Sequence, residues 1–424
     1  MSVTPPARRS LLAALGPGLI FAGAAVGVSH LVQSTRAGAT YGLSLVAFVL
    51  VANLVKYPAF RFGAHYASAS GVSLLEGYRR QGRPALVLYL LLTLATMWTV
   101  QAAVTVVTAG LLIHITGLSV SPIIASAALL VFCGALLGVG QYKWLDRVTK
   151  VAVAIFTVAT LMATIMAVPK LSDVSLWPDF GAWSVPDVLF VAALIGWMPS
   201  AIDVSVWQSL WTLAKAKERG TLSYRDSMLD FHIGYGGTVM LALCFVILGA
   251  AVLSGQELEG GAGAFGAQLV QLYADTLGGW SRPLIATAAL LVMFSTTLTV
   301  LDGFPRALSV LVERFAEPET PFEERTEGAK SRRAYWIAML LLACGSLGVL
   351  AFALSSLKAM VDLATTLSFL TAPILSLLNH RAMTQTPFHG EGRPSKRLLQ
   401  ASLAGVAIQG AFALCYLWLK VTAS

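Results

Sequence analysis

The sequence predicts an all-α membrane protein with eleven transmembrane helices arranged as two five-helix halves and one extra helix. Composition supports the membrane assignment. Of the 424 residues, 57% are hydrophobic and 12% are charged, whereas a soluble domain is about 25% charged. The mean hydropathy is +0.74, and a water-soluble fold could not bury so much apolar surface. The net charge of +8 does not indicate a nucleic-acid partner, because the basic residues lie between apolar segments.

Eleven segments have the roughly 20 mostly apolar residues that a membrane-spanning helix requires. They lie near 12–33, 43–63, 85–115, 121–140, 147–169, 187–213, 229–254, 281–311, 334–354, 357–380 and 398–419. The first segment follows "ARRS" and continues into a long span, so we expect no separate signal peptide. The mixed-charge segment 317–333 is expected to be a solvated loop, and "GQELEGGAGAFG" (Gly255–Gly266) a flexible outer loop.

The lysine and arginine residues predict the orientation. If the N-terminus is cytoplasmic, 23 of the 29 fall on the cytoplasmic side and five on the other, with Lys56 inside a span. Cytoplasmic loops of membrane proteins carry such an excess of basic residues. We therefore expect a multi-pass protein of the bacterial inner membrane, with its N-terminus in the cytoplasm and its C-terminus outside.

Several classes of protein are excluded by missing motifs. The four cysteines (Cys133, Cys244, Cys344 and Cys415) lie in apolar segments without a CxxC pair, so neither a disulfide framework nor a zinc site is expected. The sequence has no HExxH, P-loop or GxSxG motif, which argues against an enzyme. The gaps between spans are too short for nucleotide-binding domains. We expect no cofactor and no obligate protein partner, and the lipid bilayer as the surrounding medium.

Two of the predicted spans are interrupted by helix-breaking residues. The first breaks at "VGVSHLVQST", where Gly27 is a poor helix former and His30 is ionisable. The sixth breaks at "GWMPSAID", where Pro199 lacks an N–H group and clashes with the carbonyl of Ile195. That carbonyl is therefore free in the membrane interior. Asp203 follows the proline by about one helical turn.

The two breaks occupy corresponding positions in the chain. Spans one and six begin two five-span halves, at about 12–169 and 187–380, and the span at about 398–419 lies outside both. Interrupted spans in matching positions indicate a secondary transporter built on inverted repeats, with its substrate near the midplane. A charged residue at a helix centre costs about 2.5–3.5 kcal/mol. Asp203 is therefore a candidate functional residue.

Five stretches of the sequence carry a family resemblance. They are "GPGLI" and "RAGATYG" in the first span, "GWMPS" in the sixth, "NLVKYPAFRFGAHYASASGVSLLEGYRR" (Asn53–Arg80) and "LSFLTAP" (Leu367–Pro373). Together they resemble the Nramp (natural resistance-associated macrophage protein) family over most of the chain up to about residue 380. The resemblance implies the leucine-transporter-like 5+5 inverted-repeat fold. It also implies transport of a divalent metal ion coupled to a proton.

The metal-binding positions of the family differ in this chain. The family's first break reads D-P-G-N, and its Asp and Asn bind the metal. The residues at these four positions here are Gly27, Val28, Ser29 and His30. In the sixth span the methionine ligand is kept as Met198, the ligand carbonyl would belong to Ile195, and Ser200 stands where the family has histidine. The resemblance therefore predicts the position of a substrate site more firmly than its cargo.

The missing aspartate leaves several hypotheses about the substrate. A carboxylate 4 Å from a divalent ion gains about twice the ~4 kcal/mol of two unit charges at an effective dielectric constant near 20. Asp203 is the candidate replacement, and with His30 and Met198 it would form a softer site for a transition metal. A protonated His30 would instead favour an anion. A metal cation is the leading hypothesis. Another small solute, a non-transporting sensor or scaffold, and a passive channel are the alternatives.

Four more residues are candidate gating or coupling groups: Asp230, His232, Asp302 and Asp362. Asp230 and His232 open the seventh span near the expected cytoplasmic face and have either an interfacial or gating role or that of a plain solvated helix start. Asp302 precedes Arg306 by four residues, a spacing at which helical side chains pair. Asp362 begins the tenth span and is expected either to form an outer gate with Lys358 or to be a plain helix start. Lys56 is expected to extend its ammonium group to the interface.

Overall fold

The computed structural model describes residues 16–139, 143–171, 175–256, 261–319, 329–353 and 357–422, and all regular structure in these ranges is helical. In chain order, the helices up to residue 167 are α1 (Pro17–Ala25), α2 (Thr35–Tyr41), α3 (Val46–Ser70), α4 (Leu74–Arg80), α5 (Arg83–Thr116), α6 (Pro122–Val139) and α7 (Lys143–Ala167). They are followed by α8 (Val185–Gly196), α9 (Asp203–Arg219), α10 (Tyr224–Val252), α11 (Ala262–Leu277), α12 (Ser281–Ala316), α13 (Ala329–Gly348), α14 (Leu357–Gln385) and α15 (Lys396–Thr422).

Nine helices in these ranges are long and apolar enough to cross a membrane, which makes the chain a multi-pass membrane protein. They are α3, α5, α6, α7, α10, α12, α13, α14 and α15. The bent pair formed by α1 and Ser29–Tyr41 makes a tenth if it is counted as one span. The sixth predicted span is split between α8 and α9. Every predicted span thus contains helix, and the total of eleven crossings stays a prediction.

Two short helices are not predicted by the sequence, because a search for long apolar segments does not detect them. The sequence predicts a flexible loop at Gly255–Gly266. Within the described residues of this segment the prediction is wrong from Ala262 onwards, where α11 begins. One face of α11 is buried, through Phe265, Leu269, Leu272 and Tyr273. Their spacing is that of an amphipathic helix, so packing rather than hydropathy determines α11. The other unpredicted helix is α4. Most of the 317–333 segment lies outside the described residues.

Helix α2 and helix α10 touch through their backbones. A Cβ atom on Gly38 would lie 1.9 Å from the carbonyl oxygen of Val246, and one on Gly249 would lie 2.1 Å from the carbonyl oxygen of Thr35. Small residues at such crossings let membrane helices approach closely without a side chain between them. This crossing holds the second part of the first broken span against α10.

An aromatic cluster surrounds α1 on the side that charge asymmetry assigns to the cytoplasm. The ring of Phe21 lies 5.5 Å from that of Phe60, 6.0 Å from that of Phe231 and 5.9 Å from that of Tyr235. The hydroxyl of Tyr235 donates a hydrogen bond to the carbonyl of Asn53 at 2.5 Å. The cluster packs α1 against α3 and α10.

Candidate functional site

The first break is present where the sequence predicts it. Helix α1 ends at Ala25, and the chain resumes at Ser29–Ser34 as a π-helical turn that leads into α2, with a bend of 46°. The nitrogen of Gly27 donates to the carbonyl of Ala25 at 2.9 Å. The carbonyl of Gly27 accepts from the nitrogens of His30 and Leu31 at 3.1 and 2.9 Å. The broken segment thus satisfies these backbone groups locally.

The second break separates α8 from α9. Residues 197–202 carry no helix, and the peptide bond between Met198 and Pro199 is cis. Helix α8 ends at Gly196, so its last carbonyls point into the break. The carbonyl of Ile195 accepts from the nitrogen of Met198 at 3.2 Å and keeps room for another donor. The Nζ of Lys56 also donates to this carbonyl at 2.5 Å, so the expectation of a free carbonyl at Ile195 is wrong: it accepts from two donors.

The two breaks meet in one enclosed place. The hydroxyl of Ser29 lies 3.5 Å from the carbonyl oxygen of Pro199, and the hydroxyl of Ser34 lies 3.9 Å from the sulfur of Met198. Both serines and Met198 are buried. Ser200 is also buried between the two halves of the sixth span. Hydroxyl, sulfur and carbonyl groups from distant parts of the chain therefore lie together where the two breaks meet.

His30 is buried at this site and uses both ring nitrogens. Its Nε2 lies 2.9 Å from the carbonyl oxygen of Thr238, so Nε2 carries a hydrogen and donates it. Its Nδ1 lies 2.7 Å from the hydroxyl of Ser29, which is itself 2.6 Å from the carbonyl oxygen of Ala25. A metal could bind His30 only after one of these contacts breaks. The described residues contain no group of three or more His, Cys, Asp or Glu placed to hold a metal ion.

Asp203 is the first residue of α9 and is 1% exposed. Its Oδ1 atom has no hydrogen-bond partner, although the helix N-terminus favours its negative charge. Within the described part of the chain, no hydrogen bond or ion pair joins Asp203 to His30, so the structure does not group these two residues directly.

Lys56 is the site residue that the sequence reading missed. The expectation that it reaches the interface is wrong, because its side chain is 1% exposed. Its Nζ donates to the carbonyl of Ile195 at 2.5 Å and to that of Gly196 at 2.9 Å. The ammonium group of Lys56 therefore donates to carbonyls at the end of α8 instead of to water at the interface. The signal in the sequence was a lysine inside an apolar span, within the stretch Asn53–Arg80 that carries the family resemblance.

An outer cluster of three residues, Gln33, Arg36 and Asp362, lies on the other side of the break from the aromatic cluster. Asp362 accepts a hydrogen bond from Arg36 at 2.6 Å and one from Gln33 at 3.2 Å. The guanidinium carbon of Arg36 lies 4.5 Å from the ring centre of Phe190. The ion-pair partner of Asp362 is thus Arg36 and not the expected Lys358, since Arg36 extends from the broken span itself. The outer cluster joins α2 to α14 and, through the contact of Arg36 with Phe190, also touches α8.

Two other gating candidates lie on α10. The buried carboxylate of Asp230 accepts hydrogen bonds from the backbone nitrogens of Gly16 at 2.9 Å and Gly18 at 2.6 Å. It therefore satisfies N–H groups at the start of α1 that the helix itself leaves without partners. His232 is exposed, and its Nε2 lies 2.7 Å from the hydroxyl of Tyr57. Asp230 anchors the first broken span, whereas His232 contacts α3 at the surface.

The remaining candidate, Asp302, makes the ion pair that its spacing predicts. Its two carboxylate oxygens accept hydrogen bonds from Arg306 at 2.9 and 2.8 Å. The hydroxyl of Tyr335 donates a further hydrogen bond at 2.7 Å. These contacts join α12 to α13 and involve neither break. Asp302 therefore has a visible structural role in holding two helices together.

Comparisons with known proteins agree with this architecture. A family model described as "Natural resistance-associated macrophage protein-like" matches residues 18–419. An uncharacterized protein of Pasteurella multocida (strain Pm70) is 34% identical over 421 residues, which cover 96% of this chain and 92% of that protein. Both matches extend over nearly the whole sequence.

Solved structures with the same fold include two kinds of transporter. A histidine-to-alanine mutant of the manganese transporter of Eremococcus coleocola has a TM-score of 0.64 and 16% identity, and the match covers 98% of this chain and 88% of that one. MhsT in complex with L-phenylalanine also has a TM-score of 0.64, with 14% identity and coverage of 97% and 98%. These likenesses establish a leucine-transporter-like fold, and the family match establishes the lineage: this chain belongs to the Nramp-like family of membrane proteins.

Proposed function

We propose that this protein is a secondary active transporter that moves a metal cation by alternating access, with a proton as the coupling ion. One observation carries the proposal: the two broken spans meet, with Ser29 beside Pro199 and Ser34 beside Met198, in an enclosed site. Unwound backbone in a membrane is tolerated where it lines such a site. Family membership and the likeness to a manganese transporter support a metal cation as the cargo.

Alternating access requires that each side of the site can open in turn. The outer cluster around Asp362 closes one side. Asp230 and the aromatic cluster around Phe21 close the other. We propose that these two closures break alternately as the broken spans one and six rock against the scaffold of surrounding helices. The inner membrane of a bacterium, with the N-terminus in the cytoplasm, is the proposed location.

Asp203 is the proposed coupling residue. Its carboxyl is buried at the start of α9, next to the second break, and one of its oxygens has no hydrogen-bond partner. A buried carboxyl of this kind can exchange a proton when one side of the protein opens to water.

A second candidate cargo is a small solute other than a divalent cation. The observation that favours it is the ammonium group of Lys56 on the carbonyls of Ile195 and Gly196. A divalent cation 4 Å from this charge would be repelled by about twice ~4 kcal/mol at an effective dielectric constant near 20. The same ammonium would attract an anionic or zwitterionic solute.

Uptake into proteoliposomes tests both candidates. With a proton gradient, we expect saturable uptake of at least one of Mn²⁺, Fe²⁺, Co²⁺ and Zn²⁺, and slower uptake without the gradient. Asp203→Asn should lower the rate about tenfold, equivalent to ~1.4 kcal/mol, whereas Asp179→Asn, on an exposed loop, should not. Absence of uptake for all four metals would contradict a metal cation as the cargo. Parallel uptake of small carboxylates and amino acids tests the second.

A further inference from the structure

The end of α8 has the geometry of a cation site. Ile195 and Gly196 are the last residues of this helix, and their carbonyl oxygens point to one atom, the Nζ of Lys56, at 2.5 and 2.9 Å. A helix C-terminus carries partial negative charge. In transporters with broken helices, carbonyls at such ends coordinate the monovalent ions that enter the site. The position that would suit a free cation is therefore filled by a side chain.

The surroundings of Lys56 support this interpretation. The side chain is 1% exposed, so water does not compensate for its charge. Within the described part of the chain, no carboxylate lies within ion-pair distance of its ammonium group. Among the described residues, its electrostatic partners are thus the two carbonyl dipoles at the end of α8. A buried charge held by carbonyl oxygens alone resembles a bound ion more than a salt bridge.

We propose that Lys56 is a tethered cation, which fills from α3 the place of a free cation at the broken sixth span. The protein would then need no alkali cation to hold the break together. A cationic cargo would also receive no ligand from Ile195 or Gly196, so Lys56 determines which ions the site admits. This inference rests on the proposed function only in treating the break as part of a transport site.

Melting temperatures of purified protein in detergent test the proposal without any transport measurement. The salts are the chlorides of Na⁺, K⁺ and choline at one ionic strength, with a separate Mn²⁺ titration. The variants are Lys56→Met and Lys56→Gln, and the matched control is Lys358→Met, which changes an exposed lysine near the start of α14. A cation that binds the folded state raises the melting temperature in a saturable way.

We expect wild type and Lys358→Met to melt at the same temperature in all three salts. Both Lys56 variants should melt lower in choline and recover saturably when Na⁺, K⁺ or Mn²⁺ enters the vacated position. A Lys56 variant that melts low but recovers with no cation would overturn the proposal, because Lys56 would then be a structural hydrogen-bond donor. A wild-type melting temperature that depends on the alkali cation would also overturn it. If neither Lys56 variant folds, the melting temperatures of wild type in the three salts are the test, and dependence on the alkali cation overturns the proposal. Uptake failure would contradict the proposed function and leave this result unaffected.

Discussion

Gly27 lies against Thr296 of α12, and this contact restricts what its side chain can be. A Cβ atom on Gly27 would lie 2.8 Å from the Cγ2 methyl of Thr296 and 3.2 Å from its hydroxyl oxygen. The hydroxyl of Thr296 also donates to the carbonyl of Gly23 at 2.7 Å. The aspartate of the resembled motif therefore has no room at this position. The loss of that carboxylate is linked to the packing of α1 on α12.

A substitution of Gly27 tests this restriction. Gly27→Ala should destabilise the protein by about 1–3 kcal/mol, the usual cost of overpacking. Adding Thr296→Ser, which removes the clashing methyl but keeps the hydroxyl, should recover much of the loss. Gly237→Ala is the control, because a Cβ there meets nothing within 4 Å; it should be neutral or stabilise by about 0.4–1 kcal/mol. Denaturant unfolding measures all four proteins. An unaffected Gly27→Ala would contradict the tight packing.

His30 and Lys56 show how far a residue type predicts its own role. Both are ionisable residues in apolar spans, which marks them as functional candidates. Sequence alone does not reveal that the imidazole of His30 spans between Ser29 and Thr238. Nor does it reveal that Lys56 points inward, because the direction depends on where α8 ends. Partners 139 to 208 residues apart decide these roles.

At the scale of the elements, the outer cluster joins three helices across the first break. Arg36 belongs to α2, Asp362 to α14 and Phe190 to α8. Gln33, in the π-helical turn, adds hydrogen bonds to Asp362 at 3.2 Å and to Thr365 at 3.4 Å. In the proposed transport cycle, outward opening of the site would separate these helices. The ion pair between Arg36 and Asp362 is therefore a measurable part of the proposed outer closure.

A double-mutant cycle measures the coupling across this closure. Arg36→Gln, Asp362→Asn and the double variant should give a coupling of about 1 kcal/mol in the free energy of unfolding, the upper range for partly exposed pairs. Lys215 and Glu218, an ion pair within the single helix α9, form the control, with an expected coupling of about 0.3 kcal/mol. Equal couplings for the two pairs would show that the outer cluster adds nothing beyond a surface contact.

The whole molecule is a bundle organised around two interrupted spans. The first interruption bends α1 away from Ser29–Tyr41 by 46°, and the second separates α8 from α9 by residues 197–202. Long helices surround them, and close backbone contacts such as that of Gly38 with Val246 hold the broken spans in place.

An odd number of crossings places the two termini on opposite sides of the membrane. We expect a reporter that fluoresces only in the cytoplasm to be active at the N-terminus and inactive after Ser424. A reporter enzyme active only outside should give the reverse pattern. A fusion at residue 255, expected outside between α10 and α11, is the internal control. A cytoplasmic C-terminus would contradict eleven crossings and leave an even number.

The sequence by itself determined the membrane class, the positions of the long helices and the two breaks. Hydropathy and helix breaking are local properties, because apolar length and a missing N–H at Pro199 act within one segment. Tertiary structure decided what the breaks contain. It buried Lys56 on the carbonyls of α8, paired Asp362 with Arg36, and filled the space beside Gly27 with Thr296. These outcomes depend on distances between segments far apart in the chain, and such distances exist only once the helices have packed.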